Sequence, residues 1–342
     1  MIRSAPQKKD FFYVIDSGSE SNQHMFRDVQ TMEDGVQLSY IFSIKNPLLR
    51  LLNKVHLSTK INKIVDLPFK GIWDQFYIMD DKKKDTNVLK WVIVTNWSIR
   101  RFGLSYLKKI EKRSDYKVVL LFLDPLSAVP EFYLKYIREI RFDIIYSFDR
   151  DDCKLYNWIY TTNLYSKKDL PQNEHPENDI YYIGLDKGRA QFVEDIYSKL
   201  TNNGVRCDFV IISEDGKVFN NGNGLRYLNH RVSYNDVLLG VNNSRTIMEI
   251  VQNGQSGMTM RPYEAIFYNK RLLTNNRSIV DMDFYRPEYM KVFSSVDDID
   301  ISFIINQEKA EYNYQNQYSP VNWVRTIPLD YASRKNFNGV TI

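Results

Sequence analysis

Short apolar runs of strand length alternate with stretches of helical period along most of the chain, and this alternation limits the fold more than any other feature. "FFYVID" (11–16), "VQLSYIF" (36–42), "WVIVTNWSI" (91–99), "KVVLLFLDP" (117–125) and "DIIYSFD" (143–149) read as buried strands. A strand covered on both faces shows a continuous apolar run instead of an alternating one. Between them, "LSYLKKIEKR" and "EFYLKYIREI" carry apolar residues at helical spacing. Strand–helix–strand order implies a parallel sheet with helices on both faces. Segment 58–90 does not follow the pattern and receives no element.

The alternation stops at "SKKDLPQNEHPEND" (166–179), which holds Pro171 and Pro176 and has no apolar periodicity. Such a stretch reads as a linker. Beyond it the pattern restarts. "IYYIGL" (180–185) is a strand, "DKGRAQFVEDIYSKLTNNG" a turn and a helix stopped by Gly204, and "CDFVIIS" (207–213) a second strand. A helix capped by Ser233 follows, then the strand "TIMEIV", the helix "RPYEAIFYN", the strand "RLLTNN", and a last strand and helix within 292–306. The reading is α/β with two Rossmann-like domains: 1–166, a linker at 167–179, and 180–308. A tail at 309–342 is expected to pack back on the first domain. The 342 residues are enough for two separate cores. Parallel sheets take ligands at the carboxyl ends of their strands, so the loops after strands are where chemistry is expected, in a cleft between the domains.

Charge and cysteines narrow the function classes. The net charge is +4, and residues up to 166 carry about six more basic than acidic side chains. That falls short of the dense basic stripe of a nucleic-acid binder, so no nucleic-acid partner is expected. Cys153 and Cys207 are far apart and in no metal-binding spacing, which argues against a disulfide scaffold or a zinc site. "MIRSAPQKKD" has no apolar leader core and no run reaches membrane-spanning length, so a cytoplasmic protein is expected. The 24 Tyr and 19 Phe suit a core and equally suit stacking on a sugar or base.

One stretch concentrates polar chemistry: "NGQSGMTMRPYEAIFYNKRLLTNN" (253–276), at the carboxyl end of "TIMEIV". Pro262 near the start of the following helix marks a helix N-terminus, whose free N–H groups and dipole attract an anion such as a phosphate. Gly254 and Gly257 allow close backbone approach, Gln255, Ser256 and Thr259 add polar side chains, Met258 lies between them, and Arg261 brings a forked cation. Glu264 follows Arg261 by three residues, one turn on. The plain alternative is a Thr259 cap with a weak Arg261–Glu264 ion pair. A second strand-to-helix turn, "IGLDKGR" (183–189), sets Lys187, Gly188 and Arg189 where two cations flank a glycine and face a diphosphate. Neither the P-loop nor the dinucleotide glycine pattern occurs.

"YYIGLDKGR", the 249–276 stretch and "DMDFY", together with "FDIIYSFDRDDCKLYNWIY" (142–160), resemble bacterial glycosyltransferases of capsule, exopolysaccharide and lipopolysaccharide clusters, whose two-Rossmann architecture is called GT-B. The resemblance is strong over 180–290 and weak over the first 110 residues. It implies a nucleotide-diphosphate-sugar donor in the second domain, with no obligatory cofactor or metal. Glu264 would take the ribose, the 254–261 loop with Lys187 and Arg189 the diphosphate, and Ser213 and Glu214 would lie near the base. The acceptor would be a glycan or lipid-linked oligosaccharide. Retaining members often carry a second glutamate eight positions before the ribose-binding one; here that position is Ser256, so inversion and retention both stay open.

An inverting transfer needs a base, and Asp16, Glu20 and His24, after the first strand, are the candidates, with Asp16 preferred. "FDRDD" (148–152) contains a D-x-D that in metal-dependent transferases binds manganese; an acidic helix start is the favoured reading. "RRFGLSYLKKIEKR" (100–113) reads as a packed helix with a solvated basic face, and alternatively as a peripheral contact with the inner membrane surface. A non-catalytic nucleotide-sugar-binding subunit remains the rival from another class.

Overall fold

The computed structural model describes residues 9–32, 35–41, 43–77, 88–171, 173–252 and 257–334. The chain divides into two compact units, Met1–Ser166 with Tyr318–Ile342, and Lys167–Gln317. Each is an α/β unit of Rossmann type built on a sheet dominated by parallel pairing.

The first unit holds β1 (Lys9–Asp16), β2 (Val36–Tyr40), β3 (Val88–Thr95), β4 (Tyr116–Leu121), β5 (Ile144–Ser147) and β6 (Ile159–Tyr160). They lie in the order β2-β1-β3-β4-β5-β6, and every pairing is parallel. Val92, Ile93, Val119 and Leu120, at the centre, are fully buried, which is why these strands read as unbroken apolar runs. The "WVIVTNWSI" run ends as a strand at Thr95, earlier than its apolar content suggests. The Thr95 hydroxyl accepts from the Ser98 N–H at 3.2 Å, and the Ser98 hydroxyl accepts from the Thr95 N–H at 2.8 Å. This reciprocal cap starts the helix Asn96–Phe102.

The helix Pro320–Arg334 completes the first unit. The Tyr146 hydroxyl donates to Asp330 at 2.6 Å, Trp323 meets the Tyr146 ring edge-on at 5.3 Å, and Tyr331 meets Trp91 in the same way at 5.4 Å. Residues 309–317 stay with the second unit, where the Tyr312 hydroxyl donates to the Lys270 carbonyl at 2.9 Å.

The second unit holds β7 (Asn178–Leu185), β8 (Cys207–Ile212), β9 (Phe219–Asn220), β10 (Leu225–Leu228), β11 (Ser244–Glu249), β12 (Arg271–Thr274) and β13 (Met290–Val292). Their order is β13-β12-β11-β7-β8-β10-β9, with only the β9–β10 pair antiparallel. Leaving out the short β9, the chain moves outward through β8 and β10, then returns to the other side of β7 for β11, β12 and β13. That is the doubly wound order in which the crevice opens at the carboxyl ends of the two strands where direction reverses, here β7 and β11. The segment expected to be a linker runs into β7 and is tied down at its end. Asp179 receives hydrogen bonds from Arg206 at 2.9 Å and from Arg245 at 2.6 Å.

Among the described residues, no helix is long and apolar enough to cross a membrane.

Candidate functional site

A cavity of about 340 Å3 opens at the carboxyl ends of β7 and β11, the switch point of the second sheet. Its wall includes Gly184, Lys187 and Arg189 from the turn after β7, Glu249 to Gln252 from the end of β11, Tyr234, and Thr259, Arg261 and Glu264 around the start of the helix Met260–Phe267. Its size suits a small ligand.

Lys187 and Gly188 both take left-handed backbone, with φ of 45° and 75°. Two such residues in succession fold the chain sharply after β7, and Gly188 does so without a steric penalty. The Asp186 carboxylate then accepts from the N–H groups of Arg189 at 3.1 Å and Ala190 at 3.0 Å, at the entrance to the helix Ala190–Asn202. Arg189 is anchored by backbone alone. Its guanidinium donates to the carbonyls of Leu185 at 2.7 Å, Asp186 at 3.3 Å and Ile250, joining the ends of β7 and β11. Among the described residues neither Arg189 nor Lys187 pairs with a carboxylate. Their positive charge is therefore free to meet an anion.

The opposite wall rests on two buried carboxylates. Glu249 ends β11 and accepts from the hydroxyls of Thr259 and Thr274, each at 2.5 Å. Burial pushes its carboxyl above the usual range, and these hydroxyl bonds offset only part of that. Thr259 also accepts from the Arg261 N–H at 3.1 Å, so one hydroxyl caps the helix and binds Glu249 at once. Glu264, with 0% of its surface exposed, receives the Tyr234 hydroxyl at 2.7 Å and the Arg261 guanidinium. Burial alone would lower the Arg261 pKa, but the charge and hydrogen bond of Glu264, with Tyr181 and Tyr234 nearby, together outweigh it and raise the pKa.

These contacts revise the expected division of roles. Thr259 is the helix cap, as the plain alternative had it, but the Arg261–Glu264 pair is buried and forms part of the cavity wall, not a weak surface pair. Arg261 is already balanced by Glu264, which leaves Lys187 and Arg189 as the cations without a carboxylate. Glu264 is covered by Tyr234 and Arg261, so a ribose reaches it only by displacing one of them. Gly257 and Met258 are buried, and the Asn276 amide donates to the Gly257 carbonyl at 3.4 Å. Gln255 and Ser256, with Gly254, lie outside the described residues. Ser213 is absent from the cavity wall: its hydroxyl donates to Asp215 and accepts from the Lys217 N–H at 2.9 Å, closing its own turn. Sequence reasoning passed over Tyr234, and set Glu249 aside as too far before Glu264 to be its paired glutamate. The signal for Glu249 was a lone carboxylate inside the apolar run "TIMEIV".

In the first unit, Asp16 sits at the end of β1 with 0% exposure. It accepts from the Gly18 N–H at 2.7 Å, the Thr95 hydroxyl at 2.9 Å and the Asn22 amide at 3.0 Å. Its lone pairs are engaged inside its own unit, which makes it a pin between β1 and β3. His24 is buried and meets the Tyr165 ring edge-on at 4.9 Å, while Glu20 is exposed in the first turn of the helix Glu20–Met25.

Asp149 of the D-x-D caps the helix Arg150–Tyr156, accepting from the N–H groups of Asp151 at 2.9 Å and Asp152 at 3.0 Å. Asp283 of "DMDFY" is exposed. The basic stretch 100–113 is broken at Gly103, and Tyr106, Leu107 and Ile110 pack inward. Lys108 pairs with Glu139 at 2.8 Å, and Arg100 lies over the rings of Trp97 and Tyr133.

No family model matches the chain, and no curated protein matches it. Among solved structures it is similar to TarM, at 11% identity and a TM-score of 0.41 over 69% of this chain and 54% of that one. It is also similar to the spinosyn forosaminyltransferase SpnP, at 11% identity and a TM-score of 0.44 over 94% and 100% of the two chains. A glycosylation-associated protein complex (Gap123) from Streptococcus agalactiae matches at 11% identity and a TM-score of 0.39, over 72% of this chain and 53% of that one. The chain thus spans about half the length of TarM and of the Gap123 chain. Likenesses this distant leave the chemistry to be argued from the residues themselves.

Proposed function

We propose that the protein is a glycosyltransferase that moves a sugar from a nucleotide-diphosphate-sugar to a glycan acceptor, such as a lipid-linked oligosaccharide or cell-surface polysaccharide. The observation that carries the reading is the pair of cations at the switch point, Arg189 and Lys187, held without a carboxylate beside the N-terminus of the helix Met260–Phe267. A diphosphate supplies the charge this wall lacks. The sequence resemblance to GT-B transferases supplies the sugar.

In this reaction the acceptor hydroxyl oxygen forms a bond to the anomeric carbon while the bond from that carbon to the diphosphate oxygen breaks. The hydroxyl proton passes to a base, and negative charge grows on the departing diphosphate. Lys187, Arg189 and the helix start meet that charge, and Arg261 joins them if a ligand loosens its bond to Glu264. Tyr234 and Glu264 form the end of the wall suited to a diol, where the Tyr234 hydroxyl bond gives way to a ribose. Of the three candidate bases, only Glu20 presents its side chain to solvent. We therefore expect Glu20→Gln to slow turnover without changing donor affinity.

The test is release of nucleoside diphosphate from a panel of nucleotide-sugars, with and without an extract containing acceptor. Turnover of one donor, lost in Arg189→Ala, supports the reading. Binding of that donor with no turnover under any acceptor makes the chain a binding subunit instead.

A further inference from the structure

The helix Pro47–His56 of the first unit is built inside out. Leu48, Leu51, Leu52 and Val55 recur at helical spacing and are all exposed, Leu48 by 65%. An apolar stripe of this period normally faces a core. Here the inward side carries Asn53, fully buried, whose amide donates to the Tyr77 hydroxyl at 2.9 Å and whose carbonyl accepts from it at 3.1 Å. A paired amide holds the helix in this rotation, with its leucines outward.

A second apolar projection stands beside it. Phe69 is 82% exposed and takes left-handed backbone, with φ of 61°, which is strained for a bulky aromatic residue. Its loop is fixed from both sides. Trp73 donates to His56 Nδ1 at 3.0 Å, and His56 Nε2 donates to the Pro68 carbonyl at 2.8 Å, tying the loop to the end of the helix. Lys70 is buried against Asp66, which also accepts from the Ser105 N–H at 3.0 Å. A fixed loop that pays a backbone penalty to present a phenyl ring outward is a feature of contact surfaces.

The charge of the helix and its flanking segments has one sign, and the nearest acidic side chain in the chain beyond them, Asp66, is paired with Lys70. Residues 43–65 contain Lys45, Arg50, Lys54, Lys60 and Lys63 and no acidic side chain. All five are exposed, and none pairs with a carboxylate among the described residues. Lysines are depleted from the apolar centres of protein interfaces, whereas cations beside leucines suit an acyl boundary under anionic headgroups. We propose that this face docks on an anionic lipid bilayer, with Phe69 and the leucine stripe entering the headgroup boundary and Arg50, Lys54, Lys60 and Lys63 meeting lipid phosphates. The inference is independent of the chemistry assigned to the second unit.

The test is co-sedimentation of the full chain with vesicles of phosphatidylcholine alone and of an equimolar mixture with phosphatidylglycerol. The chain is expected to bind the mixed vesicles, less so as salt rises, and to leave the neutral ones in solution. Arg50→Glu with Lys54→Glu should weaken that binding roughly tenfold or more. Phe69→Asn gives a readout that a structural role would not, because asparagine tolerates left-handed backbone: melting temperature should hold or rise while vesicle binding falls. Absence of binding to mixed vesicles, or undiminished binding by both variants, overturns the proposal. So does a chain that self-associates in solution and loses that association with Leu51→Ser, since the face would then belong to a second copy.

Discussion

The carboxyl ends of the two sheets offer the same topological opportunity and use it in opposite ways. In the first sheet, the ends of β1 and β3 close on Asp16, whose carboxylate is saturated by a backbone N–H, an amide and a hydroxyl from its own unit. In the second, the ends of β7 and β11 are joined by Arg189, which binds only carbonyls and keeps its charge unbalanced over a cavity. A strand end filled by its own hydrogen bonds is structure, and one that holds a charge without a counter-ion is prepared for a ligand. The difference lies in side-chain partners, not in the fold.

The largest effect is expected at Arg189. Arg189→Ala removes an anchored cation, and a lost charge-assisted hydrogen bond to a phosphate contributes ~2–3 kcal/mol, so affinity for a nucleoside diphosphate should fall roughly a hundredfold. Isothermal titration checks this, and an unchanged affinity would dissolve the contrast between the two sheet ends. Asp16→Ala should act on stability instead. Leaving buried donors unsatisfied costs about 2–3 kcal/mol, or a melting temperature lower by roughly 5–10 °C, with affinity for the diphosphate unchanged. If Asp16→Asn keeps its melting temperature and loses all turnover, Asp16 is a base after all and the first sheet end is catalytic.

A smaller effect concerns Glu249, the buried carboxylate of the second sheet end, which has two hydroxyl donors and a raised pKa. A carboxyl raised in the folded state binds more protons folded than unfolded between its ordinary and its folded pKa. Its contribution to stability is therefore full below the ordinary carboxylate range and is lost as pH rises through the folded value. Glu249→Gln, which never ionises, should lack that loss. Its melting temperature relative to the parent should increase as pH rises from about 4 to 7. A constant difference across the range would mean that burial does not raise the Glu249 carboxyl. Smallest of all, Tyr234→Phe removes one hydrogen bond to Glu264 and should change donor affinity only about three- to tenfold.

Much of the fold was legible in the sequence because buried parallel strands write themselves as apolar runs. "KVVLLFLDP", "DIIYSFD", "IYYIGL" and "RLLTNN" each cover all or most of an observed strand. Where the reading failed, another physical effect intervened. "WVIVTNWSI" continued past its strand because Thr95 and Ser98 cap a helix within an apolar run. The β9–β10 hairpin escaped notice because its strands are short, half-exposed and separated by asparagine and glycine. Of the site, the helix start at Thr259 and the turn at Lys187–Arg189 were visible as local patterns. The state of Asp16 was not, since the hydroxyl that helps saturate it belongs to Thr95, in another strand. Nor was the burial of Glu264, which depends on Tyr234 from a separate helix. Local sequence shows which residues stand at a strand end, but only the folded chain shows whether their hydrogen bonds are already taken.

The most direct test of the ligand-ready second sheet end is calorimetric titration of the four common nucleoside diphosphates into the wild-type chain, Arg189→Ala and Asp16→Asn. At least one nucleotide should bind the wild type and Asp16→Asn alike and bind Arg189→Ala roughly a hundredfold more weakly. Equal binding by the wild type and a folded Arg189→Ala, or binding lost in Asp16→Asn alone, would contradict the placement of the diphosphate between β7 and β11.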